Sequence, residues 1–421
     1  MQKSIILLII LFIGQAQARA QSTLKLDDIL STIAANHPSV KMYDADIRSS
    51  DEAAKGARSW EAPELGTGFW MTPYNPSLWK RNADGSSGMG QYMISAQQMI
   101  PNKKELDANE KYLRAVSAAS KESKQANLNE LYAAAKMSYY TWLVTEKKLR
   151  VLDDNEKLLQ FMIQSTEIRY KNNLGKLNAY YKAKAAVGDI ENQRIQLQND
   201  IRQQQVRLNT LMNKDAQTDF RIDTAYTIKD YTLNNNSPTD SSYFGQARSD
   251  IKAVQKNIDL AYLQQDLERT KLKPQFGIQY NHMFGFGGLP MQYSLMATVR
   301  LPMAAWSSKS TKASIESLKW KEESLSQQKQ VLINEAAGQM QGLLAAFTSK
   351  KRQVQLFEQN IIPALSKNYQ VLQLGYEQNT GELFELLDAW QTLNRSQLEY
   401  LQQVQDLLTM QTEMDKTLQQ N

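Results

Sequence analysis

The chain has 421 residues, a formal net charge of +5 and a mean hydropathy of −0.53, long enough for one large core or several domains. The low hydropathy argues against a bundle of membrane-spanning helices, but not against a β-barrel, whose strands are only half apolar. There is no cysteine, which excludes disulfides, thiolate metal sites and a lipid-modified N-terminal cysteine. The charge is too mild to point to nucleic acid.

Lys3, the apolar run Ile5 to Ile13 and the small residues ending Ala18-Arg19-Ala20 predict a secretory signal over residues 1–20. Cleavage is expected after Ala20, with Ala18 as an earlier option. The apolar run is too short to span a bilayer, and no other stretch approaches 18 unbroken apolar residues. A helix-like segment, Asp27 to Trp60, then carries the break Asn36-His37-Pro38. A strand is predicted at Glu64 to Met71, with Leu65, Thr67, Phe69 and Met71 on one side. Its partner is Gln91 to Ile100, closed by Pro101. Residues 102–173 contain neither Gly nor Pro, and an unbroken helix of that length would measure roughly 100 Å. Its seam runs in sevens through Leu128, Ala135, Trp142, Leu149, Ile163 and Tyr170. A second row, Leu131, Ser138, Thr145, Leu152 and Leu159, follows at heptad spacing plus three. This is a coiled-coil pattern, with Ser, Thr and Ala pointing to close lateral packing. A shorter helix returns over Asn178 to Met212. A polar linker, Lys214 to Asp240, includes an expected extended piece at Tyr226 to Leu233.

The second half repeats the order. A helix is predicted from Tyr243 to Leu272, then a hairpin between Pro274 and Pro302. Phe276, Ile278, Tyr280 and Phe284 alternate with Gln275, Gly277, Gln279 and Asn281. After the turn Gly285-Phe286-Gly287-Gly288, Tyr293, Leu295, Ala297, Val299 and Leu301 alternate with Gln292, Ser294, Thr298 and Arg300. Two period-two segments of about ten residues are long enough to cross a bilayer as tilted strands. A long helix, Ser307 to Asn379, should be kinked by Pro363, and Gly338 and Gly342 offer a strip for close helix approach. A return helix, Glu382 to Gln420, completes the round.

The two rounds align. Tyr92-Met93-Ile94-Ser95-Ala96 sits over Tyr293-Ser294-Leu295-Met296-Ala297, and Ile100-Pro101 over Leu301-Pro302. Tyr170-Lys171-Asn172-Asn173-Leu174-Gly175 sits over Tyr376-Glu377-Gln378-Asn379-Thr380-Gly381. The strand-ending prolines Pro101 and Pro302 suit a strand end followed by a helix. The expected organisation is therefore a signal at 1–20 and two repeats, 21–236 and 237–421, each with helix, hairpin (64–100 and 275–301), long helix and return helix. Four strands cannot close around a lumen; three copies would supply twelve and two copies eight. The fold class is mainly α with a small β part: an internally duplicated chain of long coiled-coil helices and four transmembrane strands, sealed by self-association into an α/β barrel tunnel.

In this duplicated order, in its two glycine turns, in Pro101 and Pro302 and in Leu383-Phe384-Glu385-Leu386-Leu387-Asp388-Ala389, the chain resembles the outer-membrane efflux proteins, the TolC-like family. The resemblance covers essentially the whole chain after the signal; the repeated order carries it, no single motif being specific. It implies a homotrimer with a twelve-stranded barrel in outer-membrane lipid and a helical tunnel through the periplasm. It further implies a periplasmic adaptor (membrane fusion protein), an inner-membrane pump of the RND type, no cofactor and no nucleic acid. It places acidic residues past the second glycine turn, which Glu385 and Asp388 match. The first repeat has Ala179 and Lys182 there, and Lys182 is positioned to pair with Asp388. The alternative is an ordinary solvated face. The same resemblance makes the turns the adaptor-contacting tips, with Gly175, Leu177, Gly381 and Leu383; structurally, Gly175 and Gly381 would be left-handed helix stops.

Eight of the sixteen methionines lie in the hairpin regions, among them Met93, Met99 and Met296 on the polar face. Soft thioethers suit Cu(I) and Ag(I), which makes these the candidate metal contacts, against the plainer role of filling gaps in a crowded barrel. The only histidines, His37 and His282, have no partner in the sequence to form a metal site. Trp60, Trp70, Tyr74, Trp79, Tyr92, Phe284, Tyr293 and Trp306 bracket the strands as interfacial girdles would. With no cysteine, no nucleophile elbow and no phosphate-cradling loop, an enzyme is not expected. The alternatives to an efflux channel for small molecules or metal cations are the exit duct of a one-step (type I) protein exporter and a non-conducting coiled-coil envelope scaffold.

Overall fold

A computed structural model describes residues 23–172, 177–229, 231 and 241–419. The expected signal, the Gly175 turn and the expected repeat boundary at 236–237 lie outside the described residues. The described residues are mainly helical, at 72% helix and 11% strand. The strands are β1 (Thr23–Leu24), β2 (Glu64–Trp70), β3 (Gln91–Ile100), β4 (Arg221–Ile222), β5 (Gln275–Gly285) and β6 (Gln292–Arg300). The helices are α1 (Leu26–Asn36), α2 (Pro38–Lys55), α3 (Lys103–Lys171), α4 (Leu177–Leu211), α5 (Ser241–Ala247), α6 (Ser249–Thr270), α7 (Ala305–Leu356), α8 (Ile362–Glu377) and α9 (Leu383–Leu418). They form two compact units. One comprises Met42–Lys124 and Ser249–Ile333, the other Met1–Lys41, Gln125–Arg248 and Asn334–Asn421. Each unit draws on both halves of the chain.

The first unit is built on one antiparallel sheet in the order β2-β3-β5-β6. The two hairpins join through β3 and β5, whose ten paired positions run from Gln91↔Gly285 to Ile100↔Phe276. The register sets the faces. Phe276 lies between Ile100 and Val299, Tyr280 between Ala96 and Leu295, and Phe284 beside Tyr92. This apolar face is the exposed one: Leu65, Phe276, Tyr293 and Leu295 are among its solvent-facing members. On the opposite face Asn281 is buried, and its Nδ2 donates to Ser294 Oγ at 2.9 Å while its Oδ1 accepts from Gln279 Nε2 at 3.1 Å. β2 stops one residue earlier than expected, because Met71 takes a left-handed backbone (φ 49°).

The loops of the two hairpins pack on each other. Trp79 stacks on Phe286 with ring centroids 5.2 Å apart, its Nε1 donates to Pro73 O (2.8 Å), and Gly88 N donates to Gly287 O (3.0 Å). Gly287 has φ 56°, and a Cβ there would come 2.5 Å from Trp79 O, so only glycine fits. Past β3, Pro101 does end the strand, but α3 is opened by Asn102, whose Oδ1 accepts from Lys104 N at 3.0 Å. Within this unit Arg58 binds Asp107 (2.5 Å) and Glu110, tying the residues after α2 to α3. Val254, Ala261 and Leu325 pack α6 on α7.

Several expected elements are re-divided. The break expected at Asn36-His37-Pro38 is present, His37 being extended (φ −61°, ψ 131°) ahead of Pro38, as sterics before proline demand, but the second helix ends at Lys55, short of Trp60. The helix expected from Tyr243 splits at Arg248 into α5 and α6. Of the expected extended piece Tyr226 to Leu233, residues 226–229 and 231 carry neither helix nor paired strand and the others lie outside the described residues; a short parallel pairing falls at Arg221–Ile222 with Thr23–Leu24. Pro363 does not simply kink the long helix. A π-turn, Phe357–Ile361, lies just ahead of it and separates α7 from α8, re-routing bonds that a proline without an N–H cannot make. Gly338 and Gly342 face open space within the chain, with nothing within 4 Å of a built Cβ.

The second unit's main core gathers Leu152, Leu159 and Met162 of α3, Ala183, Ala186 and Ile190 of α4, and Tyr369, Tyr376, Leu386, Leu387, Trp390 and Leu393 of α8 and α9. The α3 seam is largely the predicted one: Ala135, Trp142, Thr145, Leu152 and Leu159 are buried, whereas Tyr170 is exposed. Leu386 is fully buried in this core, so Leu386→Ala should lower stability by about 2–5 kcal/mol, read as a lower denaturation midpoint with an unchanged denaturant slope.

Candidate pore tip and its supports

The second turn of the duplicated landmark closes by a backbone motif that the glycine signal did not identify. α8 ends at Glu377, and Asn379, not Gly381, is the left-handed residue (φ 62°). Thr380 N donates to Gly375 O (2.9 Å) and Asn379 N to Tyr376 O (3.2 Å), the paired bonds of a Schellman stop. Gly381 serves a different purpose. A Cβ at Gly381 would sit 3.2 Å from Gly375 C and Tyr376 N, so its lack of a side chain lets the chain double back against α8. Gly175 lies outside the described residues.

α9 starts immediately beyond, and its first turns divide by period. Leu383, Leu386, Leu387 and Trp390 turn inward, while Glu385 and Asp388 are exposed. The two carboxylates share one helical face at i, i+3 spacing, and among the described residues neither is engaged by a cation. Lys182, expected against Asp388, is placed elsewhere: its Nζ lies 3.9 Å from the centroid of the Phe384 ring, a cation–π contact from α4 to α9. Leu177 is exposed, but Leu383, grouped with it as a contact residue, is only 7% exposed and belongs to the core. Phe384, beside Leu383, is an outward apolar side chain at that tip.

The two tyrosines that align in sequence differ in burial. Tyr170 is 47% exposed and Tyr376 3%. Arg169 covers Tyr376, its guanidinium carbon 3.9 Å from the ring centroid and its Nη2 donating to Tyr376 O. Thr166 Oγ1 lies 3.3 Å from the Tyr376 hydroxyl. The end of α3 is thereby fastened to the end of α8. Deeper in the same core, burial raises the Tyr369 phenol to about 12.

A second polar cluster in this unit was not anticipated. Asp415 of α9 is 3% exposed. Its carboxylate takes Lys229 Nζ (2.7 and 2.9 Å), the Tyr231 hydroxyl (2.7 Å) and Lys136 Nζ (3.4 Å). Lys229 N also donates to Gln411 Oε1 (2.9 Å). The linker is thus pinned to α9 and α3 by a buried acid with two cations. Nothing local to Asp415 in the sequence marks it, since its partners lie 184, 186 and 279 residues away.

Comparison with known proteins gives the class. Residues 29–214 match the family model described as outer membrane efflux protein, so the resemblance seen in the motifs is to that family. The structure superposes on a membrane protein from Pseudomonas aeruginosa (TM-score 0.75, 14% identity, 93% of this chain and 90% of that one). It is similar to the outer-membrane channel OprN (0.73, 13%, 93% and 89%) and to the outer membrane protein VceC of Vibrio cholerae (0.72, 14%, 93% and 95%). At such identities these likenesses define the fold, which is that of outer-membrane channels. No curated protein matches the chain in sequence.

Two expectations follow from the supports. Asp415→Ala strands the buried Lys136 and should cost about 3–5 kcal/mol; adding Lys136→Met should return part of that loss in a denaturant titration. For Tyr369 the folded pKa is raised, so the neutral phenol is favoured by folding. Its contribution is complete below pH 10, the ordinary tyrosine value, and is lost as pH climbs from 10 towards 12. Tyrosinate absorbance should report a late-titrating phenol that disappears in Tyr369→Phe.

Proposed function

We propose that the chain is the outer-membrane channel of a tripartite efflux system, a homotrimer that passively conducts substrate delivered by an inner-membrane pump through a periplasmic adaptor. The observation that carries this reading is the inverted polarity of the sheet, apolar outside and hydrogen-bonded polar inside. Within a chain that sheet is unsealed at β2 and β6. Three copies joined edge to edge make a closed twelve-stranded barrel whose apolar surface faces lipid. The match over residues 29–214 and the shared channel fold support the same assignment.

The gate is Glu385 and Asp388. Threefold association brings six carboxylates round one opening, where their mutual repulsion opposes tight closure and draws cations. Lys182 acts through Phe384, holding the start of α9 against α4, and the tips that meet the adaptor are the Gly175 and Gly381 turns with Leu177 and Phe384. The chain is placed in the outer membrane with a periplasmic extension.

Planar-bilayer recording tests this. The purified protein should form cation-preferring channels, and Glu385→Gln with Asp388→Asn should reduce the preference for K+ over Cl− several-fold. Unchanged selectivity would remove the two carboxylates from the gate, and absence of any conductance would remove the channel itself.

A further inference from the structure

The polar face of the sheet holds four methionines among glutamines, asparagine and serines. Met93 on β3 pairs directly with Met283 on β5, which puts their Cβ atoms about 4.5–5.5 Å apart on one face. On its other side Met93 faces Gly68 of β2, where a built Cβ would meet nothing within 4 Å, so one flank of the pair is open. Lower on the same face, Met99 pairs with Gly277, which pairs in turn with Thr298. A Cβ on Gly277 would lie 2.6 Å from Met99 Sδ and 2.7 Å from Thr298 Oγ1. The glycine therefore lets a thioether and a hydroxyl close over the same spot. That hydroxyl oxygen is buried and has no hydrogen-bond partner. Met296, two residues before Thr298 on β6, is 45% exposed on this face.

Gap-filling does not explain this placement. A methionine that fills a gap is surrounded by apolar or aromatic side chains, whereas the rows between these are Ser95-Asn281-Ser294 and Gln97-Gln279-Met296. No carboxylate or imidazole cluster competes for a hard or borderline metal among the described residues. Neutral thioethers are soft donors, which select Cu(I) and its heavier congener Ag(I) over hard cations.

We propose that this face is a ladder of thioether contacts for a soft monovalent cation, Cu(I) or Ag(I), carried as cargo. Met93 with Met283 form one station; Met99, with the Thr298 hydroxyl beside it, forms the other, and Met296 lies adjacent. The proposal rests on the channel reading above, in which this face lines the lumen. Sites made of few neutral donors bind weakly enough to release the ion, as conduction requires.

Silver nitrate in chloride-free buffer is the probe, titrated calorimetrically into the purified detergent-solubilised protein. Saturable binding is expected, weakened at least about tenfold in the variant Met93→Leu, Met99→Leu, Met283→Leu, Met296→Leu, which conserves volume. Equal affinity in that variant overturns the ladder. A measurement on the unmodified protein covers failure of the variant to assemble: silver should slow peroxide oxidation of these four methionines relative to the exposed Met42 of α2, and no differential protection overturns the proposal. A protein that conducts K+ but binds no silver sinks the ladder and leaves the channel standing, whereas one that does not conduct sinks both.

Discussion

A sheet that turns its apolar side chains outward has one stable home, and that constraint organises the molecule. In water, exposing Leu65, Phe276, Leu295 and their neighbours together while enclosing Asn281 would be unfavourable on both faces. In lipid the same arrangement is favoured on both, provided that no backbone edge is left open. The β3–β5 pairing removes two of the four possible edges by joining the hairpins within the chain. The remaining two, on β2 and β6, have no strand partner among the described residues. The packed loops, with Trp79 on Phe286 and Gly287 against Gly88, hold the two hairpin ends together within the chain.

The opposite requirement applies where the helices turn. On the proposed channel reading, the opening must be polar at its rim yet stand on a core that does not yield. α9 meets both needs by period: Leu386, Leu387 and Trp390 enter the core while Glu385 and Asp388 stay outside. The two aligned segments differ in the same sense. Tyr376 is a buried anchor held by Arg169 and Thr166, whereas Tyr170, aligned with it in sequence, is exposed. Likewise Lys182 has left the carboxylate face for the ring of Phe384. Such a contact leaves the acidic face of α9 without a cation partner among the described residues.

What could be read from the residues in advance was periodic. Period-two alternation located β3 to its last residue and β5 and β6 within one, and a run without Gly or Pro located α3 within two. Burial along α3 followed the heptads because the seam is a local property of one helix. The turn at Asn379 was misassigned to Gly381 because both residue types stop helices; only the hydrogen bonds to Gly375 and Tyr376 distinguish a left-handed residue from a close approach. The burial of Leu383 was missed for a related reason. Its duplicate Leu177 is exposed, and repeat symmetry carries no information about which copy faces the core.

Asp415 lay furthest from anticipation, and its chemistry argues for geometry rather than strength. A buried carboxylate with two ammonium groups recovers little net free energy beyond its desolvation cost. A well-packed apolar trio in its place could be as stable. An apolar trio, however, would accept sliding of the linker along α9, whereas Asp415 accepts only the placement that brings Lys229, Tyr231 and Lys136 to its two oxygens at once. Asn129 Nδ2 on Lys416 O (2.9 Å) and Lys416 on Glu130 (2.8 Å) fix the same turn of α9 to α3 one residue further on. The axial position of α9 against α3 is therefore set at its C-terminal end by polar contacts that tolerate no slip. Glu385 and Asp388 stand in the first two turns of that same continuous helix, so the register fixed at Asp415 is transmitted along its length to those two carboxylates.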